Sequence, residues 1–184
     1  NILEHPEAVV NIVSYAMVQQ MSLSSTEYAK GVNEFIKAGF TEVASEKVVP
    51  PRVGEAPASF ECKVKDVIHL GKEGGAGNLI IAEVVQAHFQ DYIFDEDGSI
   101  NPHKLDAVGR LGGNWYCRAS GDALFEVEKP LKKRGIGVDE IPNAIRLSDV
   151  LTGNDLGKLG NVEKLPEEKE ISEVGKSAEV QAAL

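Results

Sequence analysis

A mainly β fold with short helices at the crossings, arranged as a small barrel or sandwich, is predicted by three features of the chain. The segment Phe60-Glu61-Cys62-Lys63-Val64-Lys65 alternates apolar and charged residues strictly, the period-2 pattern of a half-buried strand. A glycine-rich connection, Gly71 to Gly77, returns the chain into the apolar run Asn78 to His88, so the two segments form a hairpin. The helix signals are short, as at Asn33 to Gly39 and Asn101-Pro102, and fall between the strands.

Taken in order, Pro6 to Val13 is a short approach followed by a buried strand, because Val9, Val10, Ile12 and Val13 are β-branched and close together. Asn11 interrupts that run with a polar side chain that needs a hydrogen-bond partner. Two roles are open for it: local bonding at a bulge or strand end, or holding the polar edge of a ligand. Tyr15, Met17, Val18 and Met21 have helical spacing over Ser14 to Met21, whereas Ser22 to Glu27 is loop-like. A short helix runs from Asn33 as N-cap to Ala38 and is stopped by Gly39. Val48-Val49-Pro50-Pro51 is extended and leads into the alternating strand, which places Glu61, Lys63 and Lys65 on its outer face and continues to Leu70.

Gly74-Gly75-Ala76-Gly77 leads into a strand, not a helix, so it is a hairpin loop and not a dinucleotide-binding turn. Asp95-Glu96-Asp97-Gly98 is an acidic turn without the later ligand positions of a calcium loop. Asn101 caps a helix with Pro102 at its first position, running through Leu105 and Val108 toward Arg110. Phe125-Glu126-Val127 is a further short strand. Beyond Lys129 the chain turns to Pro, Gly and charge, with one or two short helices in Leu147 to Leu159. The acidic stretch Pro166 to Leu184 is expected to be partly mobile or to pack as an arm on a partner.

The most distinctive stretch is Arg110-Leu111-Gly112-Gly113-Asn114-Trp115-Tyr116-Cys117-Arg118, which holds the only Trp and has a cation at each end. Its Gly-Gly pair lets backbone approach a partner closely. Such a turn suits a flat, anionic, aromatic ligand; equally, it can be a strand entry whose Trp and Tyr are core residues.

Bulk properties narrow the classes. A chain of 184 residues, 42% apolar, supports one domain with a sizeable core. Its net charge of -10 disfavours nucleic acid or an anionic membrane as partner. No apolar run reaches membrane-spanning length and no signal pattern opens the chain, so a soluble, cytoplasmic location is expected. Cys62 and Cys117 are expected to be reduced core residues, and none of the four histidines sits in a metal-ligand pattern. The chain opens on Asn1 and enters an apolar run almost at once, from which a missing N-terminal portion is expected.

An ordered series of segments carries a family resemblance: Val9 to Val13, Gly31 to Phe35 with Ala38-Gly39, Val49-Pro50-Pro51-Arg52-Val53, Ala56 to Cys62, Leu79 to His88, Asp106 to Gly113, and Tyr116. Together they resemble the flavin reductase-like family with the FMN-binding split-barrel fold, in its nitrilotriacetate monooxygenase component B and flavoredoxin-like branch. The resemblance covers a split-barrel domain at 1–130, and it recurs from Pro142 to Leu159 within a C-terminal extension at 131–184.

It implies a six-stranded Greek-key split β-barrel, a homodimer, and noncovalent FMN near the subunit interface. The implied activity is NAD(P)H:flavin oxidoreduction, with a flavin-dependent monooxygenase as a candidate partner. Two alternatives stay open: an FMN-binding electron-transfer protein like flavoredoxin, or a dimeric barrel that has lost flavin. The implied cofactor-binding residues are Asn11, Arg110, Gly112, Gly113 and Tyr116, with no dedicated catalytic acid or base. The family's first barrel strands and much of its phosphate site have no counterpart here, so an incomplete barrel is expected. Ser24, Ser25, Lys30, Arg110 and Arg118 remain as phosphate candidates.

Overall fold

In the computed structural model, which describes residues 2–73 and 75–183, the β-branched run near the start forms β1 (Glu7–Asn11). The expectations at Asn1, Gly74 and Leu184 lie outside the described residues. β1 pairs antiparallel with the long β4 (Ala58–His69), Ala8 opposite Cys62 and Asn11 opposite Ser59. β4 pairs in turn with β5 (Asn78–Phe89), the hairpin that alternation and glycine content predict. Two smaller antiparallel pairs follow: β2 (Glu42–Val43) with β3 (Arg52–Val53), and β6 (Val108–Gly112) with β7 (Trp115–Arg118).

The class is mainly β, but the expected barrel is not closed among the described residues. Its strands form three separate sheets, ordered β1-β4-β5, β2-β3 and β6-β7, with β5 at an edge. Leu79, Ile80, Ile81 and Val84 are exposed along that edge strand, a run apolar on both faces.

Short helices occupy the crossings. A 3₁₀ turn, Tyr15–Met17, leads into α1 (Val18–Ser24). α2 (Glu34–Ala38) starts where the Asn33 side chain accepts from the Phe35 N–H at 2.8 Å, and it ends at Gly39 with φ 71°. α3 (Pro102–Leu105) is capped by Asn101, whose Oδ1 accepts from the His103 and Lys104 N–H groups.

Several expectations are corrected. The serine run from Ser22 is not a loop from its start, because α1 continues through Ser24 and the Ser24 and Ser25 hydroxyls donate to the carbonyls of Met21 and Ser22. α3 stops at Leu105 instead of running to Arg110: Asp106 takes the left-handed conformation, φ 46°, and turns the chain into β6. Phe125-Glu126-Val127 is not a strand, and Phe125 is 82% exposed. Cys117 is exposed, not core; Cys62 is buried, which pushes its thiol pKa up.

The largest departure is Glu61. Alternation puts it outside with Lys63 and Lys65, yet it is 0% exposed. The register shifts between Glu61 and Cys62, and the 44–51 loop covers the face on which the carboxylate lies. Glu61 Oε1 accepts from the Glu46 N–H at 2.8 Å and Oε2 from the Lys47 N–H at 2.6 Å. His88 Nε2 donates to Oε1 at 2.6 Å from β5. Arg52 Nε, buried and without a hydrogen-bond partner among the described residues, lies 4.0 Å from Oε1. Glu7 adds a bond from the Val49 N–H at 2.8 Å. The loop is thus tied to the sheet by its own backbone donors.

The described residues divide into two compact units, one up to Phe125 and the other from Glu126. The second carries α4 (Asn143–Arg146), α5 (Gly153–Gly160), α6 (Glu168–Val174) and α7 (Ala178–Ala183). A Thr152–Asp155 capping box starts α5. Backbone bonds from Ile136 N–H to Val162 O and from Gly137 N–H to Gly160 O draw two segments together. A Cβ at Gly135 would stand 2.5 Å from Gly160 O, so only glycine permits that approach. Among the described residues, no helix is long and apolar enough to cross a membrane.

Burial raises the Glu61 pKa, but the hydrogen bonds from Glu46, Lys47 and His88 outweigh it and hold the carboxyl at about 2 against an ordinary 4.5. With the folded value depressed, its stabilisation is complete above pH 4.5 and is lost as pH falls toward 2. Glu61→Gln keeps the shape but sets an NH₂ group against one backbone donor. It should destabilise the first unit by about 2–4 kcal/mol, read as a lower urea midpoint by circular dichroism.

Candidate functional site

The Arg110–Arg118 stretch folds as the β6–β7 hairpin. Its tight end is made by Gly113-Asn114, and the register shifts between Arg110 and Gly112. Gly112 and Gly113 adopt φ 111° and 53°, conformations that L side chains rarely reach, so this glycine pair is a requirement of the turn. The turn sets Arg110 directly across from Tyr116 on β7.

A cavity of about 680 Å³ is walled by the hairpin and by α1 with its preceding turn. Arg110, Gly113 and Tyr116 line it together, and Tyr15, Gln19, Ser22, Ser25, Trp115, Cys117 and Arg118 complete the parts relevant to binding. Gly112 is not in the lining and contributes through the turn. Asn11 is also outside it: its Oδ1 accepts from the Val53 N–H at 3.1 Å and from the Ser59 hydroxyl at 2.8 Å, tying β1 to β3 and β4. Of the phosphate candidates, Ser25, Arg110 and Arg118 line the cavity, and Ser24 and Lys30 do not.

The two arginines differ in what already occupies them. The Arg110 guanidinium lies 5.9 Å from the Tyr116 ring centroid, and Nη2 donates to Gly113 O at 3.1 Å. Arg110 meets no carboxylate among the described residues, and its charge faces the cavity region uncompensated. Arg118 donates from Nε and Nη2 to both oxygens of Asp106, at 2.7 and 2.8 Å. Its guanidinium also lies 3.9 Å from the Tyr15 ring centroid. The hydrogen bonds from Arg118 hold the Asp106 carboxyl below its ordinary value, and the same bonds raise the guanidinium pKa.

Sequence reasoning missed Tyr15 and Asp106. Tyr15 reads as one helix-face aromatic, and Asp106 as part of a continuing helix. The available signal was that aspartate tolerates the left-handed conformation better than most residues at a helix end. Trp115, one candidate for the core, is 76% exposed. The arrangement offers cations, hydroxyls and aromatic faces around one volume, which suits an anionic aromatic ligand. Among the described residues, no group of three or more His, Cys, Asp or Glu side chains is placed to hold a metal ion.

Comparison with known proteins places the chain in a family. Residues 1–101 match the family model described as flavin reductase like domain, and the chain belongs to that family. An uncharacterized protein of Aquifex aeolicus is 36% identical over 127 residues, 69% of this chain and 63% of the relative. Nitrilotriacetate monooxygenase component B from Bacillus cereus superposes with a TM-score of 0.62 at 29% identity, covering 69% of this chain and 62% of that one. Flavoredoxin of Desulfovibrio vulgaris gives a TM-score of 0.56 at 25% identity, covering 68% and 64%. The chain thus spans about half to three fifths of the length of curated relatives it matches, 63% and 59% for two of them and 49% for a third.

Gly112→Ala places a Cβ at φ 111°. It should cost about 1–3 kcal/mol of local strain, measured as a fall in the thermal midpoint relative to Gly77→Ala in the exposed β4–β5 loop, where the backbone is not left-handed and an added Cβ meets only ordinary contact.

Proposed function

We propose that the chain binds FMN in the cavity between α1 and the β6–β7 hairpin and acts in an NAD(P)H-dependent flavin reductase. The observation that carries this reading is a cavity of suitable chemistry in a chain of the flavin reductase like family. A volume of about 680 Å³ fits a ligand of flavin size, since pockets for such ligands run to roughly 300–1,000 Å³.

The residues present fit the group. Arg110 would meet its anionic part with a charge-assisted hydrogen bond. Gln19 and Ser22 offer partners to its polar edge, and Tyr116 and Trp115 offer faces for stacking. Gly113 lets the backbone approach the ligand without a side chain in between. Bound flavin supplies the redox chemistry, accepting hydride from a nicotinamide and passing electrons on. The chain's own task is to bind, orient and leave one face open to the donor. The likeness to a monooxygenase component supports a flavin-dependent monooxygenase as consumer of the reduced flavin, and the family resemblance supports a homodimer.

A second reading, an FMN-binding electron-transfer protein that does not turn over free flavin, is favoured by the likeness to flavoredoxin. Calorimetric titration with FMN tests both. Saturable binding followed by bleaching of the visible flavin band with NADH or NADPH is expected, and Arg110→Ala should weaken binding about tenfold, or about 1.4 kcal/mol. Steady turnover of excess free flavin selects the reductase, and stoichiometric reduction alone selects the carrier. Absence of binding overturns both.

A further inference from the structure

We propose that Arg118, Asp106 and Tyr15 form a positioning clamp that fixes one wall of the cavity, and that Arg118 does not itself bind the ligand's anionic group. This rests on the flavin reading of the cavity and assigns different duties to its two arginines.

The geometry of the clamp is specific. Arg118 Nε and Nη2 are spent on Asp106 in a two-point contact, and the guanidinium face is spent on the Tyr15 ring at 3.9 Å. The backbone repeats the linkage: the Tyr15 N–H donates to Asp106 O at 2.9 Å, and the Val108 N–H donates to Val13 O at 3.1 Å. Asp106 is the only non-glycine residue at positive φ among the described residues, and this conformation aims its carboxylate at β7. Tyr15 is half exposed and lies at the start of the α1 side of the cavity, with no stack of its own besides Arg118 among the described residues. Without the clamp, the ring is free to change rotamer and the hairpin loses its side-chain tie to the turn before α1. A planar guanidinium can bind a carboxylate at two points and cover a ring at the same time, whereas an ammonium cannot.

The sign of one substitution separates the clamp from the alternative. Asp106→Asn keeps a residue that tolerates the left-handed conformation, so the backbone turn survives. It also removes a negative charge from the margin of an anion-binding cavity and releases Arg118. If Arg118 binds the anion, FMN affinity rises. If Arg118 positions Tyr15, affinity falls, by about five- to twentyfold.

The experiment is FMN calorimetry on the full chain at several salt concentrations, with thermal midpoints as a check that each variant is folded. Asp106→Asn and Arg118→Lys should both weaken binding, and Arg118→Lys, which keeps the charge, should leave its salt dependence as in the wild type. Tyr15→Phe should retain affinity and Tyr15→Leu should lose it. Arg110→Gln should weaken binding and flatten the salt dependence, the mark of a lost ionic contact. Tighter binding by Asp106→Asn, or a flattened salt dependence in Arg118→Gln, overturns the clamp and makes Arg118 a ligand contact. Unchanged affinity in all the Asp106, Arg118 and Tyr15 variants overturns the clamp alone. Wild-type protein that binds no FMN overturns the flavin reading, and the clamp's role with it.

Discussion

The first unit depends on a carboxylate that the sequence pattern places in water. Glu61 gathers two backbone N–H groups of the 44–51 loop, the imidazole of β5 and the through-space charge of Arg52 around one buried anion. A buried carboxylate left bare is costly, and here each oxygen has donors. The loop bears Pro50 and Pro51 and forms no regular strand until Arg52, so it has few backbone bonds of its own to offer. Strand-borne acceptors hold it instead: Glu61 from β4, Glu7 from β1, and Asn11 accepting from Val53 just beyond it. The economy of this region is electrostatic: acidic side chains do for an irregular segment what a neighbouring strand does elsewhere.

The cavity is built on the opposite principle. Its hairpin wall is regular, and its special conformations are confined to Gly112, Gly113 and Asp106. Those three positions decide where the hairpin turns and how it meets the turn before α1. One arginine of the hairpin is neutralised by Asp106 and the other is not, so two residues of identical chemistry become electrically unequal. The net charge of -10 makes an uncompensated cation conspicuous on this surface, because most of the surrounding field is negative.

Much of this was legible from local patterns. The β4–β5 hairpin follows from alternation and glycine content, and the Asn33 and Asn101 caps follow from side-chain chemistry that acts within three residues. What stayed hidden depends on contacts far apart in sequence. Glu61 alternates like a surface residue because alternation cannot see a loop from residues 44–51 folding over that face. The Arg118–Asp106 pair is separated by twelve residues and by a reversal of chain direction, so neither residue advertises the other. Asn11 shows a polar side chain in an apolar run; only the fold reveals that its oxygen already serves Val53 and Ser59. Gly112 and Gly113 were legible as a tight bend, while the difference between lining a cavity and shaping its turn was not.

The exposed indole of Trp115 has a practical consequence. It is the chain's only tryptophan, and it sits on the hairpin wall, away from the buried residues around Ile93 and Pro57. Intrinsic emission excited at the red edge, where tyrosine hardly absorbs, therefore comes from a single address. Such light reports on what touches the hairpin, and it is nearly blind to the melting of the strands around Glu61.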